Sequence, residues 1–259
     1  MRCAISFDEV AFNKEDMDMY LRELAKVFRK LNGKTMPAEI ILIGGASVLI
    51  NYGFRNSTYD IDAIIMSSSA MKQAINQVGD KFNLKNGWMN TDFMKTKSYS
   101  SKLTEHSKYY KTFSNILEVR TVTAEYMVAM KLMAGRKYKN DMSDIIGILK
   151  AHSDKGNPLT LEQIKKAVTE LYGEWSALPQ SSIDFIEQMM SSENYGEIFE
   201  KTKKSEAENK ATLQSFETNY PGVLTEENLD EVLRRASKVT SEKNEDEIDE
   251  QSDYPTPTM

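Results

Sequence analysis

One cysteine, Cys3, stands in 259 residues, so an intramolecular disulfide is excluded and a reducing, cytoplasmic setting is the expectation. Two histidines and no second cysteine exclude a zinc finger or a zincin centre. No apolar run approaches the roughly 18 residues of a membrane span, so no membrane partner is expected. The opening stretch MRCAISFDEVAFNKED turns acidic too early for a secretory signal. Glycine is scarce, at 12 residues, yet two are adjacent at Gly44-Gly45. No third glycine follows to complete a dinucleotide fingerprint, and no Gly-Lys-Ser/Thr follows to complete a Walker loop. No internal repeat is visible.

What is present is the profile of a globular chain, with 40% hydrophobic and 28% charged residues. The net charge of −6 is unevenly spread. Residues 1–158 carry 23 Lys+Arg against 17 Asp+Glu, and residues 159–259 carry 10 against 22. A basic half beside an acidic half suggests an anionic ligand on the first.

Apolar spacing predicts a helix over 14–32, stopped by Gly33. A near-continuous apolar strand follows at 39–43, then a short helix after Gly44-Gly45, a strand over 60–66 and a helix over 69–82. Residues 83–111 are polar and lysine-rich with interspersed aromatics, and suggest one or two irregular strands. ILEVRTV (116–122) is a β-branched strand, followed by helices over 124–138 and 140–150. HSDKGNP (152–158) has linker composition. Helical patterns at 161–172, 180–191, 194–218 and 225–239 follow, the first opened by a Thr160–Gln163 capping box. The expected organisation is a domain over 1–151, a helical domain over 158–240, and a disordered acidic tail over 241–259.

Gly44-Gly45 ends a buried strand and opens a helix, so backbone N–H groups there suit a phosphate, and Ser47 adds a hydroxyl. Asp60 and Asp62 alternate on one strand, so both carboxylates leave the same face. Two like charges about 6–7 Å apart on a buried sheet repel unless a cation lies between them. Such oxygen pairs suit a divalent ion in phosphoryl chemistry.

Taken together, GGxS and the later Arg55-x-x-Thr58-x-Asp60-Ile61-Asp62 resemble the DNA polymerase β-type nucleotidyltransferase superfamily, with the nearest likeness to AbiEii/MenT-type toxin nucleotidyltransferases and related uncharacterised bacterial families. The 14 residues between Gly45 and Asp60 slightly exceed the usual spacing, as a loop insertion would. EYMVAMKLMAGRKYKNDMSDIIGIL (125–149) is similar to the family segment with a lysine on one helix and aspartates on the next.

The resemblance implies an α+β (α/β) fold, with a small mixed-sheet core followed by a helical region. It implies an NTP held by Gly44, Gly45, Ser47, Arg55, Thr58, Lys131, Asp141 and Asp144. Asp60 and Asp62 would ligate Mg²⁺ (or Mn²⁺). Lys131 and Asp144 equally suit an ion pair joining two helices. Glu118 is the third carboxylate by position, although Arg120 on the same face is placed to neutralise it. Arg136 and Lys137 read as surface or RNA-facing residues. The implied acceptor is an RNA or tRNA 3′ end in a toxin–antitoxin or phage-defence setting, with a cognate antitoxin as protein partner. The alternatives are a protein or small-molecule acceptor, or a non-catalytic binding protein on the same fold.

Overall fold

The computed structural model describes residues 11–33, 36–225 and 227–236. Helix α1 (Lys14–Asn32) buries Met17, Leu21, Leu24 and Phe28 along one stripe. Asn13 and Asp16 cap its start reciprocally, and Gly33 ends it at φ 79°. Strand β1 (Ala38–Leu42) leads into α2 (Gly44–Asn51), and β2 (Ile61–Met66) into α3 (Ala70–Phe82). Strand β3 (Met89–Asn90), two 3₁₀ turns, β4 (Ser107–Phe113) and β5 (Leu117–Val122) follow. Then come α4 (Ala124–Ala134), α5 (Asp141–Asp154), α6 (Leu161–Tyr172), α7 (Gln180–Met190) and the long α8 (Tyr195–Asn219).

The five strands form one mixed sheet in the order β3-β2-β1-β5-β4, an α+β fold continued by a helical C-terminal region. β1 pairs antiparallel with β2 and parallel with β5, and β4 closes the other edge antiparallel to β5. Alternation divides the sheet between two cores. Ile40, Leu42, Ile61, Ala63, Leu117 and Val119 meet α1 and α3. Ile41, Ile43, Ile64 and Val122 meet α4 and α5. The same second core takes in Ile164 and Val168 of α6 and Ile186 and Met189 of α7, so apolar packing runs unbroken across residues 152–158. α8 packs along α5.

Two details depart from the expected elements and both shape the site. β2 begins at Ile61, leaving Asp60 in the bend before it, where Thr58 Oγ1 donates to the Asp60 carbonyl. The helix expected over 124–138 stops at Ala134, because Gly135 takes a left-handed φ of 58°. A turn over 135–140 results, and it carries Arg136 and Lys139. The 225–239 pattern is helical over 229–236. The expected acidic tail and Cys3 lie outside the described residues. Among the described residues no helix is long and apolar enough to cross a membrane.

Candidate active site

The β1–α2 turn and the start of β2 meet because their strands are neighbours. Ile43 N–H donates to the Asp62 carbonyl (2.9 Å), directly before Gly44. Gly44 sits at φ 54°, and a Cβ there would lie 3.6 Å from Asp62 Oδ2, so the Asp62 carboxylate rests against the glycine turn. The first N–H groups of a helix have no intrahelical acceptor, and α2 starts at this place with no side-chain cap. Gly45 is small for another reason. A Cβ on it would be 2.6 Å from Thr58 Oγ1 and 2.7 Å from Arg55 Nη2. The space above Gly45 is filled by protein.

Arg55, Thr58 and Ser47 accordingly build the turn. Arg55 spans it, donating to the Ser57 carbonyl (2.9 Å) and to Asp144 Oδ2 (2.5 Å). Thr58 and Ser47 are fully buried. The Asn51 amide donates to Ser47 Oγ (3.4 Å) and to the Ser47 carbonyl (2.9 Å). Arg55 is thus engaged by the Ser57 carbonyl and Asp144 and Thr58 by the Asp60 carbonyl, while the buried Ser47 hydroxyl accepts from Asn51.

Asp60 stands just outside β2, yet lies near enough for its charge to act on Asp62. Burial, then the neighbouring Asp60 charge, pushes the Asp62 carboxyl up to about 6, and Lys139 and Arg136 partly offset this. Those two cations come from the α4–α5 turn. Arg136 forks onto Asp141, with Nε 2.7 Å from Oδ2 and Nη2 3.2 Å from Oδ1. Lys139 has no ion-pair or hydrogen-bond partner among the described residues. It is open to solvent, yet burial and the Arg136 charge lower its ammonium.

Lys131 occupies a different place. Its side chain is 7% exposed and lies between Asp141 (3.0 Å) and Asp144 (2.8 Å). Burial opposes its charge and the two aspartates overcome that, so its ammonium is raised. Burial also opposes the Asp141 charge, yet Lys131 and Arg136 hold that carboxyl well below the usual range. Arg55, Lys131 and Arg136 with Asp141 and Asp144 form one closed ion network joining the α2–β2 loop, α4 and α5. At one end of the network Arg136 lies near enough to the aspartate pair for its charge to act on Asp62. The interhelical ion pair is thus the role the geometry gives Lys131.

Glu118 is not brought to the pair. It shares the sheet face of Asp62 but stands level with Glu39, whereas Asp62 stands level with Ile43. Four residues of strand separate these levels, about 13 Å. Glu118 is bound instead by Arg120 Nη1 (2.8 Å). Sequence alternation gave its face but carries no information on register between distant strands.

The Arg136 side chain is 38% exposed while it forks onto Asp141, in keeping with the surface expectation, and Lys139 was missed. The signal was GRKYKND, three cations placed directly before Asp141 behind a helix-ending glycine. Among the described residues no three His, Cys, Asp or Glu side chains converge as a metal centre. Mg²⁺ commonly takes only one or two carboxylates and completes its shell with phosphate oxygens and water. Two adjacent carboxylates whose second proton is held up to about 6 fit that demand.

No curated protein and no solved structure matches the chain. A family model described as a nucleotidyltransferase of unknown function (DUF6036) matches residues 19–171. That span holds the sheet, the aspartate pair, the α4–α5 turn and the ion network, and exceeds half of the chain. The chain therefore belongs to this nucleotidyltransferase family.

Proposed function

We propose that the protein transfers a nucleotidyl group from an NTP to an acceptor hydroxyl at the Asp60/Asp62 site. The observation that carries the reading is an aspartate pair beside a glycine turn, within reach of the charges of Arg136 and of Lys139, which has no partner among the described residues. Asp60 and Asp62 would hold Mg²⁺ (or Mn²⁺), which when bound supplies Lewis-acid charge neutralisation for phosphoryl transfer. Lys139 and Arg136 bind the triphosphate and draw off charge that builds on the leaving pyrophosphate. The α2 N–H groups at Gly44 and Gly45 donate to phosphate oxygens. Asp141 and Asp144 orient the cations, with no direct contact to the nucleotide.

An RNA acceptor, such as a tRNA 3′ end, is supported by exposed lysines on the α4–α5 turn and on α8. Lys137 on the α4–α5 turn and Lys201, Lys203 and Lys204 on α8 are exposed. Tyr59, next to Asp60, is exposed, with Lys210 Nζ 4.7 Å from its ring centroid, a surface suited to a base and its phosphate. The toxin–antitoxin or phage-defence setting rests on the resemblance alone, and a small antitoxin-like protein encoded alongside would support it.

The test is incubation of the full chain with each α-labelled NTP, Mg²⁺ and total tRNA. Label entering RNA is the expected result, and label entering protein moves the acceptor class. Equal behaviour of wild type and an Asp60→Ala/Asp62→Ala variant in every such assay overturns the catalytic reading.

A further inference from the structure

The helix that carries Asp141 and Asp144 starts without a cap of its own. Asn140, at the N-cap of α5, makes no side-chain cap hydrogen bond. The N–H groups of Met142 and Ser143 would be left as buried donors, at a cost. They are satisfied from another element. Glu206 of α8, only 4% exposed, accepts from Met142 N (2.8 Å), Ser143 N (3.3 Å) and Ser143 Oγ.

α8 begins at Tyr195, beyond the residue 171 limit of the family match. Near Glu206 on the same helix, Asn209 Nδ2 donates to the Lys137 carbonyl (2.9 Å) and Lys210 covers Tyr59. Three consecutive attachments thus run from α8 to the first turn of α5, to the α4–α5 turn and to the residue before Asp60.

We propose that Glu206 is a positioning residue for the NTP site, acting through α5. By fixing the first turn of α5 it sets Asp141, Asp141 aims Arg136, and the Arg136–Lys139 turn meets the triphosphate. This rests on the nucleotidyltransferase reading above. It makes α8 part of the machinery although the family match does not reach it. A carboxylate suits the task because one oxygen takes the two backbone donors while the other takes the hydroxyl. A glutamine keeps the first oxygen and can donate to Ser143 Oγ in place of accepting.

The experiment measures binding of the four α,β-methylene nucleoside triphosphates with Mg²⁺ to the full chain by calorimetry, at a temperature where circular dichroism shows each variant folded. Glu206→Ala is expected to weaken the bound analogue by between about tenfold and a hundredfold, the scale at which a small misplacement is felt. In turnover it is expected to raise KM more than it lowers kcat. Glu206→Gln is expected to restore most of the loss. Should Glu206→Ala not fold, Ser143→Ala carries the test, with a weakening of several-fold expected. Wild-type affinity in whichever of Glu206→Ala and Ser143→Ala is measured, beside a wild type that binds, overturns the positioning role and leaves the enzyme reading standing. A wild type that binds none of the four analogues overturns both.

Discussion

Single side chains divide here into those that hold and those that act, and Lys131 and Lys139 show the contrast. Lys131→Met leaves Asp141 and Asp144 without their shared cation. Removing one member of a buried pair costs about 3–5 kcal/mol. Arg136 and Arg55 remain on the two aspartates, so a loss of about 3 kcal/mol is expected, read as a clear drop in the chemical-denaturation midpoint. Lys139→Ala removes no ion pair among the described residues, so its unfolding midpoint is expected to match wild type while KM for the NTP rises.

Asp62 predicts a pH effect. Its folded carboxyl is raised above the ordinary value to about 6, so the destabilisation it causes is absent below about pH 4 and complete above about pH 6. Asp62→Asn, unfolded thermally in EDTA, should gain about 2 kcal/mol at pH 7.5, a few degrees in Tm, and nothing at pH 4. The same variant should be inactive.

The sequence showed which residue types carry the chemistry, and alternation placed Asp60 and Asp62 on one face. It did not separate Lys131 from Lys139. Both are lysines near an aspartate, and only the end of α4 at Gly135 decides which one is enclosed.

Elements with reciprocal caps were legible almost to the residue. α1 and α6 carry apolar stripes bounded by capping boxes and terminal glycines, all local signals. β3 has two residues, too few for any alternation to show, and it is a strand only because β2 offers it an edge. The strands over 116–122 and 60–66 were visible, yet their relative level was not, and Glu118 was misplaced for that reason.

The β1–α2 turn gives a prediction at this scale. Gly45→Ala drives a methyl into Thr58 Oγ1 and the Arg55 guanidinium, and that guanidinium is tied to Asp144 and the Ser57 carbonyl. A cost of about 1–3 kcal/mol is expected, as for other overpacked sites. The Arg55–Asp144 pair should loosen with it. A midpoint equal to wild type in denaturant would show that the turn relaxes freely.

For the molecule as a whole, the core shared by the sheet, α4, α5, α6 and α7 implies one cooperative unit. Calorimetry of the full chain is expected to show a single unfolding transition with van't Hoff and calorimetric enthalpies in agreement. Two resolved transitions would instead make 158–240 a separately folding domain.

The antiparallel pairing of β1 with β2 also bears on descent. The glycine turn meets the aspartates through strand register, not through the length of chain between them. Residues 52–60 keep Tyr52 and Thr58 buried and Arg55 on Asp144, but Gly53, Asn56 and Tyr59 are exposed, and doubling a loop at such exposed positions costs only about 0.6 kcal/mol. Insertions there leave Ile43 beside Asp62 and the site intact. Chains related to this one are free to differ widely in the spacing between the paired glycines and the first aspartate. A pattern demanding one fixed spacing would pass over proteins that build the same centre.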